Sequence, residues 1–202
     1  MRVLLRRWAA VGGMALMAPL SAAAQARWDA PSFMRPGSPP GLSLAVTDSD
    51  PGDGLGVLAL WRSAGAPAGL GFRAGVAEAP GDEVVGIFGI DVSGSLSGTM
   101  GPGAPEAIWW TGAGIGLGDD VSASFPLGLV FGWTGRDENV SFMPYAGGHV
   151  VLDVISGPDD DLDLEGVVDL GLDLAFSQGW TFRFGAALGG RESLGIGFRV
   201  PR

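Results

Sequence analysis

Strict alternation of apolar residues with small or charged ones marks the segment between Val167 and Phe176. One face carries only apolar side chains, which are Val168, Leu170, Leu172, Leu174 and Phe176. The other face carries Asp169, Gly171, Asp173 and Ala175. A period of two residues is that of a β-strand. A strand with one hydrocarbon face and one small or ionic face is typical of a barrel that crosses a membrane.

The same alternation resumes after the three-residue turn Ser177-Gln178-Gly179. Apolar side chains again share one face, namely Trp180, Phe182, Phe184, Ala186 and Leu188. Pairing Phe176 with Trp180 across the turn sets Asp173 opposite Arg183 on the polar face. The sequence therefore predicts a hairpin with an ion pair on its inner side.

Composition favours a hydrophobic environment for a single domain. The chain has 202 residues, 47% of them apolar and only 17% charged, a balance unlike that of an ordinary soluble protein. After the N-terminus, Gly, Asp or Arg interrupts every apolar run before it reaches the roughly 20 residues that a spanning helix needs. Closed strands are then the remaining way to satisfy the backbone in lipid.

Residues 1–26 are typical of a secretory signal peptide. Arg2, Arg6 and Arg7 precede an apolar core at residues 8–20, and small residues follow with an A-x-A pattern that predicts cleavage after Ala26. An uncleaved anchor helix is disfavoured because the apolar core is short. We expect Sec-type export; the Arg6-Arg7 pair is also compatible with the twin-arginine route.

The exported chain is strongly acidic and has no cysteine. Removing the first 26 residues leaves nine arginines and no lysine against 22 Asp and Glu residues, which disfavours nucleic acid as a partner. The absence of cysteine excludes a lipoprotein anchor, disulfides and thiolate metal sites. No cofactor is indicated.

An extended N-terminal segment, residues 27–40, is predicted ahead of the barrel because it carries Pro31, Pro36, Pro39 and Pro40. From residue 41 to residue 202, period-two segments alternate with turn-forming clusters. We count ten strands, which are Leu42–Thr47, Leu55–Arg62, Leu70–Ala77, Val84–Leu96, Ala107–Leu117, Val121–Thr134, Val140–Ile155, Leu164–Phe176, Trp180–Gly189 and Ser193–Val200. A barrel of eight strands is the alternative if the first pair lies outside it.

Aromatic and acidic residues segregate to opposite ends of these strands. If both chain ends lie in the periplasm, one rim collects an interfacial aromatic girdle. The predicted girdle consists of Trp61, Trp109, Trp110, Trp133, Tyr145, Phe176, Trp180 and Phe198. The other rim collects acids, among them Asp48, Glu78 and the run Asp159-Asp160-Asp161-Leu162-Asp163.

A soluble, lipocalin-like barrel is the competing fold, with its apolar faces turned inward. Its outer surface would then consist mostly of Gly, Ala and Ser, for example Gly71, Gly128 and Gly185. Soluble surfaces carry far more charge than that. We therefore favour the transmembrane barrel, with the glycines lining a crowded interior.

The chain resembles small bacterial outer-membrane β-barrel proteins from Gly41 to Arg202. The resemblance lies in the signal peptide, the alternating strands, the tight turn at residues 177–179 and the aromatic final strand Leu194-Gly195-Ile196-Gly197-Phe198. It implies an antiparallel up-and-down barrel in the outer membrane. Members typically end on an aromatic residue that the assembly machinery recognises, whereas here four residues follow Phe198.

The inner faces of the strands are predicted to carry a lumen charge network. Its members are Arg73, Asp91, Asp153, Asp169, Asp173, Arg183 and Arg199. Unpaired charges in a narrow barrel are costly, so we expect them to pair within a lumen plugged by side chains. A narrow, water-filled path whose charged ring biases ion passage is the alternative.

Two further patterns suggest catalysis or metal binding, but the residues around each of them do not support it. His149, the only histidine, shares a face with Asp153, but no nucleophile accompanies it in a known pattern. Residues 159–163 suggest calcium, yet Leu164 stands where an EF-hand has glycine. We predict no catalytic residue and no metal site, with a solvated loop or weak cation bridging to lipopolysaccharide at 159–163.

These patterns together predict a non-enzymatic outer-membrane barrel with a structural or surface-interaction role. Its expected partners are outer-membrane lipid, lipopolysaccharide and the outer-membrane assembly machinery. A narrow pore for ions or small solutes is the alternative. A lipid-modifying enzyme is a third, weaker hypothesis.

Overall fold

The computed structural model describes residues 27–49, 54–64, 68–79, 83–96, 105–118, 121–156 and 161–200. Eleven strands occur in these ranges. They are β1 Gly41–Ser49, β2 Leu55–Arg62, β3 Ala68–Ala79, β4 Glu83–Ser95, β5 Glu106–Leu117, β6 Val121–Gly132, β7 Gly135–Arg136, β8 Val140–Ser156, β9 Asp161–Phe176, β10 Thr181–Gly189 and β11 Ser193–Arg199.

The strands form a closed up-and-down barrel. Each strand pairs antiparallel with its neighbours, and β1 pairs with both β2 and β11, which closes the sheet. β6 pairs directly with β8, while the two-residue β7 pairs only with the start of β8. The wall therefore has ten strands, as predicted, and the eight-strand alternative is wrong because β1 and β2 belong to it.

The predicted hairpin has the expected register. Arg183 on β10 lies opposite Asp173 on β9. The N–H of Phe176 donates to the carbonyl of Trp180 across the turn at 2.8 Å. Because side chains alternate strictly along a strand, this one register determines which face every residue of the hairpin occupies.

The apolar faces point outward and the small or ionic faces point inward. Leu170, Phe182 and Phe184 are 45%, 44% and 39% exposed, whereas Asp173 is 1% exposed. In the described part of the ten wall strands, outward-facing charges occur only at strand ends, at Asp48 and Glu78. The inside-out, lipocalin-like alternative is therefore wrong.

The barrel has two distinguishable rims. At the terminal rim, β1 begins with Gly41 and β11 ends with Arg199. At the distal rim, β1, β3, β5, β8 and β10 end and β2, β4, β6, β9 and β11 begin. β8 and β9, of 17 and 16 residues, exceed the roughly 9–11 that a tilted membrane strand needs.

Two members of the predicted aromatic girdle face the lumen instead. Trp110 is fully buried and Tyr145 is 4% exposed. Trp109 and Trp110 are adjacent, so alternation allows only one of them to face outward. Tyr145 pairs with Gly171, where a Cβ would overlap the tyrosine ring, so the glycine leaves room for that ring inside. The other six, Trp61, Trp109, Trp133, Phe176, Trp180 and Phe198, are exposed or half-buried near the terminal rim.

The part of the chain that the structure describes contains no helix long and apolar enough to cross a membrane. The predicted signal peptide and the acids Asp159 and Asp160 lie outside the described residues.

Candidate functional site

Residues 27–40, called here the inner segment, lie inside the barrel. Arg27 pairs with Asp153 on the distal half of β8. Arg35 pairs with Asp173 on the terminal half of β9. The segment therefore runs through the lumen from the distal end towards the terminal rim, where Gly41 begins β1.

Three large apolar side chains of the inner segment fill the lumen. Trp28, Phe33 and Met34 are between 1% and 3% exposed. Burying side chains of this size contributes about 1.5–3 kcal/mol each. Trp28 and Phe33 belong to one buried cluster, and Met34 to another that includes Trp110 and Tyr145. The inner segment thus acts as part of the hydrophobic core of the barrel.

Glycines in the wall make room for the Trp28 indole. A Cβ added to Gly89 or Gly114 would overlap the indole ring, and one added to Gly112 would lie 2.7 Å from its Cη2 atom. The Arg73 guanidinium carbon lies over the indole ring, 5.6 Å from its centroid, which is a cation–π contact. The glycine-rich inner faces therefore fit the inner segment, as a crowded interior requires.

Gly89→Ala is expected to destabilise the barrel by about 1–3 kcal/mol, because the added methyl group overpacks against Trp28. Denaturant unfolding in detergent measures the loss. Gly86→Ala is the matched control on the same strand, since its Cβ meets ordinary contacts at 3.7 Å or more. Combining Gly89→Ala with Trp28→Ala should remove most of the incremental cost of the glycine substitution. If Gly89→Ala costs as much stability in the Trp28→Ala variant as in the wild type, the added methyl group does not overpack against Trp28.

The distal half of the lumen holds a buried ionic group, called here the distal cluster. Its members are Arg27, Asp29, His149, Asp153, Glu165, Asp169 and Arg191. Arg191 lies at its centre and binds Asp29, Asp153 and Glu165, the last at 2.8 Å from Nε. The Ser124 hydroxyl donates to Asp153. This cluster ties the inner segment, through Arg27 and Asp29, to β8, β9 and the β10–β11 turn.

His149 lies between two carboxylates of the distal cluster. Its Nδ1 is 2.8 Å from Asp169 Oδ2, and its Nε2 is 3.6 Å from Asp29 Oδ2. The Trp110 ring packs edge-on at 5.0 Å between centroids. Both ring nitrogens thus face acids, which favours an ionic bridge between the inner segment and the wall.

The terminal half of the lumen holds a second ionic group, called here the terminal cluster. It consists of Arg35, Arg62, Arg73, Asp91, Asp173 and Arg183. Asp91 binds Arg62 at 2.6 Å and Arg73 at 3.4 Å. Asp173 binds Arg35 and, at 3.2 Å, Arg183. Each carboxylate therefore joins two guanidinium groups.

The structure divides six of the seven predicted charges between these two clusters, and Arg199 belongs to neither. Arg73, Asp91, Asp153, Asp169 and Asp173 are buried. Arg183 and Arg199 are half-buried on the inner face, and Arg199 donates to the Pro40 carbonyl and to Thr181. All seven predicted members thus line the lumen.

Seven cluster members lie outside the predicted charge network, and six of them, all except His149, were missed by sequence reasoning. Arg62 and Glu165 occupy inward positions of β2 and β9, so strand alternation alone could have found them. Arg191 lies in a turn, where no periodicity applies. Arg27, Asp29 and Arg35 come from the inner segment. The large apolar residues Trp28, Phe33 and Met34 in the same segment were the available signal that it is buried.

No group of three or more potential ligands is arranged to hold a metal ion among the described residues. Of the acidic run at 159–163, Asp163 is exposed and its carboxylate accepts from the N–H of Leu164 at 2.8 Å. Weak cation bridging by this run remains a prediction.

Comparison with known proteins finds similarity at the level of solved structures. No family model and no curated protein matches the chain. The chain is similar to a crystal structure of the outer membrane enzyme PagL, with 14% identity, coverage of 80% of this chain and 99% of that chain, and a TM-score of 0.43. It is also similar to the KdgM porin in complex with disordered oligogalacturonate, with 10% identity, coverage of 79% and 98%, and a TM-score of 0.42.

Proposed function

We propose that this chain is an integral protein of the bacterial outer membrane whose lumen is closed by its own inner segment. Its role in this proposal is structural or surface-interacting and non-enzymatic. Lipid and lipopolysaccharide surround the wall, and the outer-membrane assembly machinery inserts it after Sec-type export. The terminal rim lies in the periplasm and the acidic distal rim faces outward.

The apolar outer surface supports the membrane location. Large apolar side chains on every wall strand are exposed, for example Leu44 on β1, Phe125 on β6 and Ile196 on β11. Soluble monomers rarely carry contiguous apolar patches larger than several hundred Å². A closed sheet has no unpaired edge, so its backbone is satisfied in hydrocarbon.

The buried inner segment is the observation that carries the closed-lumen proposal. Trp28, Ala30 and Met34 are each 3% exposed or less, and the segment is ion-paired at both ends of the lumen. The position of His149 between Asp29 and Asp169 supports a structural role for the one histidine.

A narrow pore for ions or small solutes is the second candidate. It is supported by a cavity at the terminal end of the lumen, lined by Arg62, Arg73 and Arg183. Passage across the full lumen would require the inner segment to move, because Trp28 and Phe33 fill the space beyond the cavity.

Membrane fractionation tests the location. We expect the protein in the outer-membrane fraction after a carbonate wash. We also expect unheated samples to migrate faster than boiled ones on a denaturing gel, because a closed barrel resists unfolding by detergent. Recovery in the soluble fraction, with one heat-independent band, would contradict the proposal.

The absence of native cysteine allows a matched test of orientation. Glu192, at the distal rim, and Glu138, at the terminal rim, are both exposed. A membrane-impermeant maleimide added to intact cells should label Glu192→Cys but not Glu138→Cys. Labelling of Glu138→Cys but not Glu192→Cys would indicate the opposite orientation. Equal labelling of both variants would contradict a barrel embedded in an intact membrane.

A further inference from the structure

Positive charge is in surplus in the terminal cluster. Four guanidinium groups meet only two carboxylates among the contacts that define it. Asp91 and Asp173 are 1% exposed, so the ion pairs are shielded from solvent on the carboxylate side. A buried charge that is not balanced costs free energy.

Other donors of three of these arginines bind neutral acceptors. Arg183 Nη2 donates to the Phe33 carbonyl at 2.7 Å, Arg73 Nη2 to the Ser32 carbonyl, and Arg62 Nη1 to Ser93 Oγ at 3.2 Å. Such bonds orient the guanidinium groups. They do not cancel the formal charge.

The distal cluster does not supply the balance at contact distance. It has the opposite surplus, with the four acids Asp29, Asp153, Glu165 and Asp169 against Arg27, Arg191 and the bridging His149. Asp169 and Asp173 are four residues apart on β9, which is about 13 Å at ~3.3 Å per residue. The lumen is therefore polarised along its axis.

A cavity opens beside the surplus charge. It is lined by Arg62, Arg73 and Arg183, together with Pro39 and Gly41 where β1 begins. The side chains of Arg62 and Arg183 are 16% and 12% exposed. Arg62 and Arg183 are therefore partly accessible from the terminal rim, whereas the side chain of Arg73 is only 2% exposed.

We propose that this cavity is an anion site that takes the carboxylate or phosphate group of a small soluble solute. Guanidinium groups bind both oxyanions through paired, charge-assisted hydrogen bonds. Arg62 and Arg183 are the binding residues, Arg73 adds positive charge beside them, and Asp91 competes with the incoming anion for Arg62. Both binding residues occupy inward-facing positions of β2 and β10, so a soluble solute enters from the terminal rim. This proposal is independent of whether the lumen conducts.

Isothermal titration calorimetry tests the site on the full mature chain in zwitterionic detergent. Inorganic phosphate and acetate are titrated at constant ionic strength with chloride as the background anion. We expect saturable binding of at least one of them. Arg62→Gln and Arg183→Gln should each weaken binding about tenfold or more, as expected for loss of a charge-assisted hydrogen bond.

Asp91→Asn separates anion binding from general damage to the lumen. It removes a competing carboxylate and should tighten binding, whereas a merely structural role for this cluster would predict weaker binding in every variant. Arg136→Gln is the matched control, because Arg136 is exposed at the same rim in β7, and it should leave binding unchanged. Absence of saturable binding to both anions would overturn the proposal. Equal affinities in wild type, Arg62→Gln and Arg183→Gln would also overturn it.

Discussion

Removing the inner segment, residues 27–40, is expected to convert a non-conducting barrel into one that conducts ions in discrete steps. The segment contributes Trp28, Phe33 and Met34 to the buried interior. The wall behind them is rich in glycine, including Gly89 and Gly114, so little side chain remains to fill the vacated space. Planar-bilayer recordings should show negligible conductance for the wild-type mature chain and stepwise conductance for the deletion.

A locked variant keeps this prediction testable if the deletion does not fold. Ala30 of the inner segment and Ala187 of β10 belong to one buried cluster. Because the chain has no cysteine, a disulfide in the double variant Ala30→Cys, Ala187→Cys would hold the segment in place. We expect this cross-link to form and the barrel to stay silent. Leu188→Cys with Ala30→Cys is the control, since Leu188 faces outward and should not cross-link.

Two results would contradict the closed-lumen proposal. Stepwise conductance of the wild-type chain, suppressed in the oxidised double-cysteine variant, would support the narrow pore in its place. A folded deletion that remains silent would show that wall side chains alone block the lumen.

Arg191→Met is expected to lower the free energy of unfolding by about 3–5 kcal/mol, the usual cost of removing one partner from a buried ionic group. Arg191 is 4% exposed and binds Asp29, Asp153 and Glu165. Without it, only Arg27 and His149 face the acids of the distal cluster. Urea unfolding of the refolded barrel in detergent micelles measures the difference.

Arg136→Met is the matched control for this substitution. Arg136 is exposed at the terminal rim, so its replacement should change the free energy of unfolding by no more than about 0.5 kcal/mol. If both variants unfold at the wild-type urea concentration, Arg191 does not hold the distal cluster together. If both lose several kcal/mol, the effect reflects general charge removal and not the buried contacts.

The wall could be predicted from the sequence because its signal is local. Each strand alternates with a period of two, so the face of Asp173, Arg183 or Leu170 follows from its position in the strand. The register of β9 and β10 followed from the length of one turn and is observed as predicted. The adjacent residues Trp109 and Trp110 show where this prediction fails. Both lie at the height of the aromatic girdle, yet Trp110 faces inward.

The interior could be predicted only in part. All seven predicted lumen charges face inward, but the sequence did not divide six of them between two clusters of opposite surplus. That separation depends on how far along each strand a charge lies relative to its neighbours, and hence on the register of all ten pairs. It also depends on Arg191, which alternation cannot place because it lies in a turn.

Side-chain periodicity alone predicts the barrel, because ten alternating segments, their outward apolar faces and their inward charges all follow from it. The contents of the lumen depend instead on contacts between distant residues. The inner segment has no periodic pattern, and its position depends on Trp28 meeting glycines on β4 and β5 and on Arg27 and Arg35 meeting Asp153 and Asp173. These contacts join residues more than 60 positions apart, and they exist only after the sheet has closed around them.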